Sequence, residues 1–292
     1  MPVHQLPGKI ILQHPEGPSL EILLYGATIV SWKSPSVENK ELKERLFLSS
    51  KAILDGTKAI RGGIPIVFPC FGAPQHPEHL KLAQHGFART SLWTFRKILL
   101  DNEAGVSVQL TLDPTPEIAA VYDRPFQLTY VVTLAQHQLS TDLHVANPSE
   151  SATLQFQSLL HTYIAAPAQE LTITPLQNVK YYDKMESITE AQQTAKVETR
   201  AKVDVRRPTD SVYEDAPLDY TVSWPGGTVN IRAREFKDVV VWNPGEGGKK
   251  IADMEDGGWN NYVCVEPGYV RGYVNLAPGQ TWIGQQVITI KA

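Results

Sequence analysis

Wherever this sequence has a clear period, the period is two. Val106, Val108, Leu110 and Leu112 fall on one face of an extended chain, and Leu139, Thr141, Leu143 and Val145 repeat the pattern. Such alternation predicts half-buried antiparallel strands, because successive side chains point to opposite faces of a sheet. Further strands are expected over 10–13, 20–24, 28–32, 126–134, 153–165, 229–233, 239–242, 262–266 and 282–290. Helix is scarce. The best candidate is 115–121, where Thr115 can cap the first turn and Pro116 takes its first position. The 21 prolines and 20 glycines punctuate the strands at short intervals. The expected fold is therefore all-β: a large antiparallel β-sandwich with few short helices and long loops across one face.

Length and composition allow that fold. A chain of 292 residues that is 42% hydrophobic can bury a large core, as one big β domain or as two ordinary ones. No Pro/Ser-rich linker and no fixed-period repeat divides it. The polar stretch 184–207 reads as an excursion within one domain, 1–292. A formal charge of −4 argues against a nucleic-acid footprint, which would show as a basic excess. The first residues lack a basic region followed by an apolar run, and no later stretch approaches the roughly 18 apolar residues of a spanning helix. Cys70 and Cys264 are too few for a disulfide scaffold and lie in apolar, strand-like sequence, so they read as buried free thiols. A cytoplasmic protein is expected, with no membrane partner and no nucleic-acid partner.

Three separated segments carry chemistry. Arg61-Gly62-Gly63-Ile64-Pro65 and Gln84-His85-Gly86-Phe87-Ala88-Arg89 each place an arginine near glycines. Two arginines can grip a phosphate bidentately, and glycines permit close backbone approach. His161 and Glu266 supply a possible acid and base, since an imidazole near its ordinary pKa of about 6.5 exists in both protonation states near neutrality. Taken alone, His161 reads as a core histidine, Glu266 as a strand-end acid before Pro267-Gly268, and the arginines as surface groups beside turns.

The order and spacing of these motifs change that reading. Together with Leu24-Tyr25-Gly26-Ala27, Leu54-Asp55-Gly56, Thr209-Asp210, Val241-Trp242-Asn243-Pro244 and Leu276-Ala277-Pro278-Gly279, the chain resembles the aldose 1-epimerase (galactose mutarotase-like) superfamily over nearly its whole length. It is most similar to the glucose-6-phosphate 1-epimerase branch. The resemblance implies a galactose mutarotase-like supersandwich that interconverts α and β anomers by ring opening and reclosure. It implies His161 as catalytic acid, Glu266 as catalytic base, and Arg61, Gln84, Arg89 and Asp210 as substrate contacts. No cofactor and no metal is implied. The expected partner is a small-molecule hexose 6-phosphate, handled by a monomer.

This chain departs from many relatives at Ile164, where a second aromatic often follows the histidine motif, and at Gly245, where an aromatic often follows Trp-Asn-Pro. The loop 245–258 is therefore divergent, which bears on sugar-ring specificity more than on catalysis. His85 can line a pocket or fix its loop, and Tyr163 and Trp242 can wall a sugar ring or belong to the core. Competing readings are an aldose 1-epimerase for unphosphorylated sugars, a glycoside hydrolase using Glu266 with Asp210, and a non-catalytic carbohydrate-binding module. Other signals fail on inspection. Residues 245–250 lack the phosphate-loop pattern and read as a turn. His76 and His79 lack further ligands at metal spacing and read as a solvated loop. The acids of 253–256 lack a calcium-loop register.

Overall fold

The alternating segments pair into three antiparallel sheets in the computed structural model, which describes residues 2–186 and 194–292. Part of the polar excursion, 187–193, lies outside the described residues. A five-stranded meander runs from Val3–Leu6 to Lys43–Glu44. One eight-stranded sheet carries, in order, Thr172–Thr174, Asp219–Trp224, Gly227–Arg234, Thr281–Ile290, Gln138–Ala146, Gln127–Leu134, Gly105–Leu112 and Thr94–Asn102. The third sheet orders Lys196–Val197, Lys180–Asp183, Thr209–Tyr213, Asp238–Asn243, Tyr262–Leu276, Leu154–Leu160 and Ile66–Val67, with Tyr163–Ala165 also paired to Tyr262–Leu276. This third sheet carries the candidate site. Among the described residues no helix is long and apolar enough to cross a membrane.

Strand Gln138–Ala146 alternates as expected, with Leu139, Thr141, Leu143 and Val145 buried. Gly105–Leu112 does not leave its second face to water. Ser107 and Thr111 are also buried, Ser107 Oγ lying 2.8 Å from Thr133 Oγ1 and Thr111 Oγ1 accepting from Arg96 Nε at 2.7 Å. Short hydroxyl residues let neighbours cover that face while keeping their hydrogen bonds. The helix forms over Pro116–Val121, and Thr115 Oγ1 accepts from the Ile118 amide at 3.3 Å. Strand Thr94–Asn102, mostly exposed at a sheet edge, shows no alternation and carries no strand signal in sequence. The segment holding His76 and His79 is a solvated loop except at His79. It forms a short 3-10 turn over Pro77–His79, and His79 is fully buried against Tyr122 and Tyr273, where burial lowers its pKa to about 4.

Two further departures shape the site. The expected strand 153–165 breaks into Leu154–Leu160 and Tyr163–Ala165, with His161 and Thr162 in the bend. Glu266 is not at a strand end, because Tyr262–Leu276 continues through Pro267 and Gly268. Pro267 is tolerated there because of that same bend. On that edge, Tyr163 pairs with Cys264 and Leu159 with Gly268, so Pro267 falls in the gap between the two ladders, where it need not donate to that neighbour.

The arginine-flanked glycines approach the protein's own backbone. Gly63 has a left-handed φ of 67°, and a Cβ there would lie 2.0 Å from the Ile29 carbonyl oxygen. The same segment bonds outward: the Gly63 carbonyl accepts from Tyr163 N and the Pro65 carbonyl from His161 N, each at 3.0 Å. Gly63→Ala is therefore expected to cost about 3 kcal/mol or more, from the left-handed backbone plus the clash. A denaturant titration showing an unchanged midpoint would refute this close approach.

Candidate active site

Strand alternation divides the third sheet between a core and a pocket. Val239, Val241, Val263, Val265 and Tyr213 point into the main buried cluster, which runs from Val3 to Ile290. The intervening residues Val212, Val240, Trp242, Cys264 and Glu266 face the other way. In register, Asp210 opposes Trp242, Trp242 opposes Cys264, and Val240 opposes Glu266. A pocket of about 270 Å³, its open mouth included, lies over this face, lined by Phe71, His85, His161, Lys184, Asp210, Val240, Trp242 and Glu266. The cavity itself is about 50 Å³, far below the ~300–1,000 Å³ of ordinary small-molecule pockets, so a sugar bound here extends into the open mouth.

His161 Nδ1 lies 3.3 Å from Glu266 Oε1, with side-chain exposures of 11% and 1%. The imidazole is held by aromatic faces: Tyr163 stacks on it at 4.7 Å with 9° between planes, and Trp242 meets it edge-on at 5.7 Å. Tyr163 is thus a platform for His161 and not a wall for a sugar, while half-buried Trp242 also lines the pocket. Burial drives both members of the pair toward their neutral forms. Glu266 is raised well above the carboxylate range by desolvation and by Asp210, opposed by Lys184 and Arg89. His161 is lowered well below its usual value by desolvation, with His85, Arg89 and Arg61 adding to the effect. Both shifts favour the uncharged pair, a protonated Glu266 beside a neutral imidazole.

His85 does two jobs. It lines the pocket, and its Nδ1 accepts from the Gly72 amide at 3.1 Å, which fixes the loop. Burial and the nearby cations hold its pKa down at about 3, so it is neutral and, with Nδ1 accepting, carries its proton on Nε2. Arg89 sits on a 3-10 turn, Ala88–Thr90, and donates through Nη2 to the Gln84 carbonyl at 3.0 Å, while its buried Nε has no partner. Arg61 is more committed, with Nε 3.1 Å from Asp253 Oδ1 and Nη1 donating to Tyr163 Oη at 3.3 Å. Asp253 belongs to the acidic cluster, which therefore supports an arginine. Gln84 is exposed, its amide nitrogen 3.4 Å from His85 Nε2. Asp210 lines the pocket, with a pKa raised by burial. Residues 245–250 form a 3-10 run, Gly245–Lys250.

Two residues escaped sequence reasoning. Lys184 follows strand Lys180–Asp183, joins its backbone amide to the Asp210 carbonyl at 2.8 Å and places Nζ 4.3 Å from the Phe71 ring centre. Its position in a polar stretch carried no signal. Cys264, fully buried, shares the pocket-facing side with Glu266 two residues later, and that spacing could have revealed it. His161, Cys264 and Glu266 together form a set that could hold a metal ion.

Of the residues expected at the site, His161, Glu266 and Asp210 line the pocket, whereas Arg61, Arg89 and Gln84 do not; the two arginines act on it from behind that lining, and Lys184 is the cation that faces it. A proton donor and acceptor in contact, with these cations around them, suit a polar, anionic small molecule. Known proteins resemble this chain over most of its length. The aldose 1-epimerase family profile matches residues 8–289. A Cenchrus ciliaris protein named "Putative glucose-6-phosphate 1-epimerase" is 31% identical over 290 residues, covering 95% of this chain and 83% of that protein. A protein of the same name from Escherichia coli (strain K12) is 28% identical over 266 residues, covering 89% and 82%. The crystal structure of a "putative mutarotase" from Salmonella typhimurium has a TM-score of 0.85 at 23% identity, covering 99% of this chain and 92% of that one, which establishes the mutarotase-like fold. With profile and relatives spanning almost every residue from the first sheet to the last strand, the chain belongs to the aldose 1-epimerase family.

Proposed function

We propose that this protein is a hexose-6-phosphate 1-epimerase, acting on glucose 6-phosphate or a close relative. The carrying observation is the buried His161–Glu266 contact at 3.3 Å, in a pocket whose electrostatics are shaped by Arg61, Arg89 and Lys184. The names of the curated relatives support the phosphorylated substrate. Glu266 removes the proton from the C1 hydroxyl as His161 protonates O5. The C1–O5 bond breaks, and rotation about C1–C2 turns the other face of the aldehyde toward O5. Reclosure reverses both transfers and yields the other anomer, with no net change in the protons held by the protein.

The charge-separated form of the pair, carboxylate and imidazolium, is disfavoured first by burial, and the surrounding cations add to the cost of a charged His161. A phosphate dianion between Arg61 and Arg89 offsets that field and favours the imidazolium. Phosphate recognition then promotes the chemistry as well as the binding. Asp210, beside the pair, accepts from sugar hydroxyls, Gln84 contacts the sugar at the pocket rim, and Trp242 covers one ring face.

Two-dimensional NMR exchange spectroscopy of the C1 protons tests the proposal, with glucose 6-phosphate, glucose and galactose in parallel. Enzyme-dependent cross-peaks for the phosphorylated sugar alone are expected. Equal acceleration of the free sugars would assign the protein to unphosphorylated aldoses, and no acceleration would leave a binding module.

Lys184 provides a separate check. Its ammonium favours the ionised form of Glu266, so Lys184→Met raises the Glu266 pKa further. Since the base must be a carboxylate, the acid limb of the kcat/KM profile is expected to move to higher pH, and Lys184→Arg to restore it. An unshifted limb would remove Lys184 from the electrostatics of the base.

A further inference from the structure

We propose that the floor of this pocket binds a thiophilic divalent cation of the zinc class through His161 Nδ1, Cys264 Sγ and a Glu266 carboxylate oxygen, and that the bound ion shuts the site. One ligand atom from each residue lies within 4.8 Å of the other two. Zinc bonds of ~2.0–2.1 Å to nitrogen and oxygen at a tetrahedral angle separate those two ligands by roughly 3.3 Å. The His161 Nδ1 to Glu266 Oε1 distance is 3.3 Å. A bond of ~2.3 Å to sulfur calls for roughly 3.6 Å from the thiolate to either partner, so the Cys264 sulfur closes by at most roughly 1.2 Å.

A second observation points to a ligand. His161 Nδ1 and Glu266 Oε2 are buried without a hydrogen-bond partner, and Glu266 is 1% exposed. Buried polar atoms are ordinarily satisfied, and a metal ion held through Glu266 Oε1 would satisfy His161 Nδ1. Two of the three ligands, His161 and Glu266, also line the pocket, from which a fourth ligand can reach an open zinc site.

Arg61, Arg89 and Lys184 oppose any cation here. That opposition makes the site selective. Magnesium and calcium gain little from nitrogen and sulfur and are repelled, whereas zinc, cadmium and cobalt(II) gain the thiolate bond. The Cys264 thiol proton and the Glu266 carboxyl proton pass to solvent as the metal bonds form. The ion then occupies both groups that would move protons on the sugar. This blockade, unlike the binding itself, rests on the proposed function.

Cobalt(II) titration of the full chain, freed of metal by a chelator, tests the site independently of activity. One equivalent is expected to produce a thiolate-to-cobalt charge-transfer band and tetrahedral visible bands, bleached by zinc and unaffected by magnesium or calcium. Cys264→Ser should lose the charge-transfer band and Cys70→Ser should keep it. If Cys264→Ser does not fold, Cys264→Ala and His161→Asn serve, the first losing the band and the second weakening binding at least tenfold. Absence of the band in the unmutated chain, or its survival in a folded Cys264 variant, would overturn the site. Zinc is also expected to stop anomer exchange, with recovery on chelation. Cobalt binding with anomer exchange untouched by zinc would overturn the blockade. Absence of exchange in metal-free protein would count against the proposed function, while the cobalt band would still decide whether the metal site exists.

Discussion

Glu266→Gln is expected to lower the rate of anomer exchange on glucose 6-phosphate by about 10²–10⁴-fold, the usual contribution of a positioned acid or base. The substitution is nearly isosteric, and the carboxamide enters a site that already favours an uncharged group, since burial raises Glu266 well above the carboxylate range. Folding and ligand affinity should therefore survive, so the loss falls on kcat and not on KM. His161→Asn should give a loss of similar size. Because the two groups act on one proton inventory 3.3 Å apart, the double variant should fall little below the worse single one. Turnover within about tenfold of the unmutated protein in Glu266→Gln would remove that residue from the reaction, whose minimum expected loss is ~10².

The second large effect is selective. Arg89→Ala should weaken binding of glucose 6-phosphate by roughly 10–150-fold, corresponding to about 1.5–3 kcal/mol of charge-assisted hydrogen bonding, and leave glucose nearly unaffected. Arg89 has an unpartnered buried Nε, whereas Arg61 is already bound to Asp253 and Tyr163, so Arg89 has more capacity to gain from an incoming anion. Arg89→Lys should recover part of the loss, because a point charge replaces the planar fork. Arg89 also donates to the Gln84 carbonyl, and its removal loosens that loop. Titrations with both sugars separate the two roles. Equal losses for glucose and glucose 6-phosphate would mean that Arg89 serves the loop and not the phosphate.

Alternation was enough to place strands such as Gln138–Ala146 and Thr281–Ile290, since their polar and apolar sides stay distinct. It failed at Thr94–Asn102, an edge strand exposed along most of its length, and at Ser107 and Thr111, polar residues on a face that turned out to be covered. At the site, the motifs pointed to His161, Glu266, Arg61, Arg89, Gln84 and Asp210 but gave neither their partners nor their burial, and of these only His161, Glu266 and Asp210 line the pocket. Glu266 followed by proline and glycine looks like a strand end. Only the bend at His161 explains why the strand continues past it.

By itself the sequence determined an all-β chain of antiparallel strands and, through its motifs, membership of a sugar-epimerase family. Those follow from local periodicity and from residue order, which the one-dimensional chain contains in full. Only the tertiary structure decided which face of the third sheet is core and which is pocket, that Tyr163 supports the imidazole, and that Lys184 and Cys264 belong beside the pair. It also decided that both members of the pair are driven toward neutrality. The physical reason is that alternation states which side chains share a face but not what covers that face. Burial, and with it the charge state of His161 and Glu266, depends on loops and strands about a hundred residues apart in sequence.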